Sequence, residues 1–60
     1  MKKKPIDVVI VGAGFFGTKR LMVCLAMPQD FRVVAVIDPA RHQRDRITKQ
    51  FHVPVASTLQ

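Results

Sequence analysis

The run Val11-Gly12-Ala13-Gly14-Phe15-Phe16-Gly17 sets three glycines at G-x-G-x-x-G spacing, between an apolar segment and a stretch free of proline. Upstream, Pro5 to Val11 reads as a strand. Ile6, Val8, Val9, Ile10 and Val11 form a nearly continuous β-branched run, the pattern of a parallel-sheet strand covered on both faces. Downstream, Phe15 to Met27 reads as a helix. Thr18, Lys19 and Arg20 gather near its front, and Leu21 to Met27 is apolar almost all round, which predicts packing against a sheet. Pro28, Gln29 and Asp30 supply the turn that ends it.

Phe31 to Asp38 repeats the strand pattern through Val33, Val34, Val36 and Ile37, and Pro39 closes it. Ala40 to Phe51 reads as a polar helix, with Ile47 and Phe51 four apart on one face and Arg41, Arg44, Arg46 and Lys49 on solvated ones. An Asp45–Lys49 pair at i,i+4 is expected to add a few tenths of a kcal/mol. His52 falls where helices often end in a left-handed residue, a conformation histidine tolerates better than bulkier side chains do. Val53 to Ala56 reads as a short third strand, whose Pro54 suits only a strand's beginning or edge. Ser57-Thr58-Leu59-Gln60 then has the Ser-x-x-Gln spacing of a capping box, which announces a further helix. The expectation is a truncated α/β unit: residues 1–60 as the N-terminal part of a dinucleotide-binding domain, with any substrate domain outside this chain.

Strand, glycine loop, helix, strand and acid is the order a dinucleotide-binding βαβ unit requires, and it predicts a Rossmann-type parallel sheet in β-α-β-α-β order. Gly12 permits the tight turn out of the first strand, Gly14 lets backbone approach a pyrophosphate, and Gly17 lets the helix pack close to the sheet. The anion is expected on the free amides of the helix start, with those of Phe15 and Phe16 facing it while the two rings pack or cover the cofactor, and Ala13, between the first two glycines, is counted among the cofactor-binding residues. Asp38 lies 21 residues after Gly17, close to the usual offset of about 20 for the acid that accepts ribose hydroxyl protons. Such a carboxylate favours NAD by repelling a 2′-phosphate. Arg41, three residues on, keeps NADP open because an arginine there can take that phosphate.

Composition narrows the alternatives. Sixty residues with a formal charge of +6 and 48% hydrophobic content exclude a large enzyme carrying its own substrate domain, and also a disordered tail. The longest apolar runs, Val8–Val11 and Leu21–Met27, fall far short of the roughly 20 residues a membrane helix needs. Lys2-Lys3-Lys4 ahead of an apolar segment resembles a secretory leader, but Asp7, the three glycines and the lack of a small-residue cleavage pattern argue against one. A single cysteine, Cys24, forms no intramolecular disulfide, so a reducing, cytoplasmic setting is expected.

Beyond the fingerprint, the chain resembles the N-terminus of the glucose-fructose oxidoreductase/inositol dehydrogenase/MocA (Gfo/Idh/MocA) family. The residues that carry the resemblance are Val11 to Gly17, Val33-Val34-Ala35-Val36-Ile37-Asp38-Pro39, and Phe51-His52-Val53-Pro54 before Ser57-Thr58-Leu59. It implies an NAD(P)-dependent oxidoreductase that moves hydride between a nicotinamide and a carbinol carbon of a sugar, cyclitol or related polyol, in a homo-oligomer. The family often has histidine at the position of Arg20 and glycine at that of His52. Its catalytic lysine, in a Glu-Lys-Pro motif, and its Asp-x-x-x-His pair have no counterpart among these residues, so no catalytic residue is assigned. The chain contains no glutamate.

Other readings of the same residues are plainer or rival. Cys24, Met22 and Met27 read as core fillers, Ser57 as a helix cap, and His42 and His52 lack partners for a metal site. The basic second helix reads as a solvated face, because no nucleic-acid recognition motif accompanies it. A flavoprotein that binds FAD with the same glycines, or a non-catalytic dinucleotide sensor, remains an alternative. Methyltransferases share a glycine loop and an acid, yet the third glycine at 17 speaks against them.

Overall fold

The computed structural model describes residues 4–58. They form β1 (Ile6–Val11), α1 (Phe15–Ala26), β2 (Phe31–Ile37), α2 (Arg41–Phe51) and β3 (Val55–Ala56). All pairings are parallel, in the order β1-β2-β3. This is the expected β-α-β-α-β half of a Rossmann-type fold. Parallel neighbours need a crossover, and each crossover here is one helix. Most boundaries fall within a residue of the sequence reading; β3 begins only at Val55, although the Pro54 carbonyl already accepts the Val36 amide at 2.9 Å.

Register runs from Ile6 opposite Phe31 to Val11 opposite Ile37, with a shift between Val8 and Val9 that leaves Val34 as the extra residue of a bulge. At the start of the sheet, Arg32 grips its register partner Asp7 through two parallel bonds of 2.7 and 2.8 Å. That contact holds the Asp7 carboxyl below its usual range.

The core forms on one face of the sheet. Ile10 and Val36 meet Ala13, Leu21 of α1 and Ile47 of α2, with Val8, Val33, Phe51, Val53 and Val55 packed around them. Because Leu21 and Ile47 join one cluster, both helices cover the same face. Alternation along β1 sends Val9 and Val11 the other way, where they are 44% and 70% exposed. The expectation of strands covered on both faces is therefore corrected for the described residues: two crossovers in the same direction supply helices to one side only.

The same geometry corrects the reading of α1. A helix on a sheet buries one stripe, and that stripe is centred on Leu21, so Met22 and Val23 are more than half exposed. Met22 and Met27 are thus not core fillers here, and Cys24 is half-buried on the flank. His52 does end α2 in the left-handed region, at φ 58° and ψ 37°, and its amide donates to the Thr48 carbonyl at 3.0 Å. The cap expected at Ser57 has its partner at Gln60, which lies outside the described residues.

Candidate functional site

Gly12 leaves β1 at φ +93°, a value that glycine adopts without strain, and its amide donates to the Ile37 carbonyl at 2.7 Å. The loop is thereby pinned to the carboxyl end of β2. Gly14 is the N-cap of α1, no side chain caps it, and the first turn contains no acid. The helix's first internal bond is Thr18 amide to Gly14 carbonyl, at 2.9 Å, so the amides of Phe15, Phe16 and Gly17 have no acceptor within the helix. A Cβ built on Gly14 would meet nothing within 4 Å, whereas one on Gly17 would lie 1.8 Å from the Gly12 carbonyl oxygen. One glycine faces open space, and the other keeps α1 against the loop.

Asp38 sits just beyond β2, half-buried, and its two carboxylate oxygens accept from different amides. Oδ2 takes the Ala13 N–H and Oδ1 the Ala40 N–H, each at 2.8 Å. These backbone bonds hold its carboxyl below the usual range, with His42 and Arg44 adding smaller electrostatic pulls. It is therefore ionised at neutral pH. A carboxylate offers about four lone-pair positions, so two remain after the backbone bonds, enough for a pair of hydroxyl protons.

The basic side chains of α2 divide into two groups. Arg41 is exposed at the start of the helix and approaches Asp45 at 3.8 Å; that contact takes the place of the expected Asp45–Lys49 pair. Arg44 and Arg46, read from sequence as solvated, instead bind backbone of the site. The Arg44 guanidinium donates to the carbonyls of Asp38 and Pro39, both at 2.9 Å, and locks the turn after β2. Arg46 donates to the Ala13 carbonyl in the glycine loop and, at 3.0 Å, to the Thr18 hydroxyl. Helical periodicity gives a residue's face but not what stands opposite it, and here the turn after β2 stands opposite Arg44 and the glycine loop opposite Arg46.

Phe15 and Phe16 are 69% and 74% exposed and meet edge to face, with ring centres 5.4 Å apart. The Lys19 ammonium lies 4.5 Å over the Phe15 ring. Beside the loop a cleft of about 910 Å³ is lined by residues of β1, the glycine loop and α1, with Val9, Val11, Gly14, Phe16 and Val23 among its walls. Gly12, Gly14 and Gly17 of the loop line it together with Lys19 and Arg20 of α1, and Val8, Val23 and Phe31 make its lining otherwise apolar. The structure thus brings Gly12, Ala13, Gly14, Phe15, Phe16, Gly17 and Asp38 to one end of the sheet, with Arg41 at the margin.

With that geometry in place, the sequence comparison is decisive: residues 6–60 match a family model described as an oxidoreductase family with an NAD-binding Rossmann fold. The chain belongs to the Gfo/Idh/MocA family. No curated protein and no solved structure gave a significant match. An uncapped helix start beside an ionised acid at the end of β2 is an arrangement able to meet phosphates at the first and sugar hydroxyls at the second. No helix among the described residues is long and apolar enough to cross a membrane.

Proposed function

We propose that this chain forms the adenosine-and-pyrophosphate half of the cofactor site in an oxidoreductase acting on a sugar, cyclitol or related polyol. In that reading the loop from Gly12 to Gly17 holds the pyrophosphate through the backbone amides of Gly14, Phe15, Phe16 and Gly17, those of Gly12 and Ala13 being taken by Ile37 and Asp38, and Asp38 accepts the adenosine ribose hydroxyls. NAD is the preferred cofactor. An ionised Asp38 repels a 2′-phosphate, while Arg41, tethered only loosely at 3.8 Å to Asp45, offers the countercharge by which NADP is tolerated. When bound, the nicotinamide supplies or accepts hydride; these residues anchor the adenosine end of the same cofactor.

The observation that carries the proposal is the Asp38 carboxylate, bonded to the Ala13 amide of the glycine loop with two lone pairs to spare. Separate titrations of the full-length protein with NADH and NADPH are expected to show tighter NADH binding. Asp38→Ala should lower NADH affinity by roughly a hundredfold, since two charge-assisted bonds are lost and each is worth about 1.5 kcal/mol or more. Given NAD⁺ and a panel of sugars and cyclitols, the wild type is expected to form reduced nicotinamide. Absence of binding to either nucleotide, or an Asp38→Ala protein with unchanged NADH affinity, would refute the cofactor assignment; turnover confined to alcohols of another class would refute the substrate assignment.

A further inference from the structure

We propose that Arg46 is a positioning residue that presets the phosphate-binding loop for its ligand, acting from α2 through the Ala13 peptide. The inference rests on the dinucleotide reading above and adds a residue that the glycine fingerprint does not contain.

Ala13 is the pivot of the loop, with 1% of its surface exposed. Its N–H is held by Asp38, and its carbonyl accepts from both the Arg46 guanidinium and, at 3.1 Å, the Thr18 hydroxyl. Thr18 in turn accepts from Arg46 at 3.0 Å, which closes a three-membered ring of donors and acceptors. The guanidinium is itself oriented, because its Nε and Nη2 donate to Gln43 Oε1 at 3.1 and 2.9 Å. Two groups distant in sequence therefore fix the peptide planes on either side of Ala13.

The second plane is the one that matters for an anion. The Ala13 carbonyl and the Gly14 N–H belong to one peptide unit, and no peptide bond among the described residues is cis. In a planar trans peptide these groups point in opposite directions. Clamping the carbonyl toward α2 thus turns the Gly14 N–H away from it, at the residue whose Cβ position is open. Without Arg46 this peptide is freer to rotate, and a ligand must then order it on binding, which lowers affinity.

The test uses the full-length protein and four ligands: NADH, ADP, inorganic pyrophosphate and adenosine. Arg46→Ala is expected to raise the Kd for NADH, ADP and pyrophosphate about tenfold and to leave that for adenosine, which lacks phosphates, within twofold of wild type. Arg46→Lys, whose single ammonium reaches the carbonyl without bridging to Gln43, should recover part of the loss. If Arg46→Ala does not fold, Thr18→Val removes the hydroxyl from the ring and should produce the same ligand pattern at smaller amplitude. Equal weakening for adenosine and ADP would reveal a merely structural role and overturn the proposal, as would unchanged Kd values for all the phosphate ligands. A wild-type protein that binds none of the four would overturn the dinucleotide reading itself, and this role with it.

Discussion

Gly17→Ala is expected to abolish measurable NADH binding and to destabilise the fold severely. The added Cβ would stand 1.8 Å from the Gly12 carbonyl oxygen and 2.8 Å from its carbon. Both are backbone atoms, so no side-chain rotation relieves the overlap; either α1 withdraws from the sheet or the loop is pushed out of its turn. Overpacking of this kind costs about 1–3 kcal/mol in well-packed cores and more where backbone must move. Either response separates the free amides of α1 from Asp38, because the Gly12 amide bond to Ile37 and the Ala13 amide bond to Asp38 tie the loop to the end of β2. Thermal denaturation by circular dichroism, with an NADH titration well below the transition, reads both effects. A variant with near wild-type Tm and NADH affinity would mean that the close approach of helix and loop is not required.

Ile47→Ala is expected to cost about 2–5 kcal/mol, the range for deleting a large aliphatic side chain from a closed core. Ile47 is completely buried, and it is the residue by which α2 enters the cluster of Ile10, Ala13, Leu21 and Val36. Against the roughly 5–15 kcal/mol that stabilises an ordinary domain, such a loss is large. The consequence extends to the site, since α2 carries Arg44 and Arg46, which hold the turn after β2 and the glycine loop. The midpoint of urea denaturation should fall with little change in slope, and NADH affinity should fall with it. Val23→Ala, at a position 58% exposed on α1, serves as the reference and should lose far less. Equal losses for the two would show that the core is not centred where the structure puts it.

Those two residues also mark what the sequence made legible. Ile47 and Phe51, four apart in a polar helix, identified the buried face of α2, and His52 identified its left-handed end, because helical period and φ preference are local properties. The glycine spacing and the 21-residue offset to Asp38 picked out residues that the fold brings together at one end of the sheet. What lay across the fold was not legible. A continuous valine run implies two covered faces, yet Val9 and Val11 are exposed because both crossover helices lie on the opposite side. Arg44 and Arg46 read as solvated charge, since nothing in a helical wheel reveals carbonyls supplied from outside the helix, for Arg44 from the turn after β2 and for Arg46 from 33 residues away. The amide that Asp38 accepts from Ala13 is likewise a tertiary contact, spanning 25 residues.

The central claim is that the phosphates of a dinucleotide lie against the backbone at Gly14, and Gly14→Ala tests it most directly. The backbone there, at φ −73°, is open to alanine, and the new Cβ would meet no protein atom within 4 Å. Loss of a glycine N-cap should cost no more than about 1 kcal/mol. Measured side by side, NADH affinity is predicted to fall at least tenfold while Tm stays within a few degrees of wild type. Unchanged NADH affinity in a folded Gly14→Ala protein would contradict the account, because the open space before Gly14 would then not be where the ligand binds.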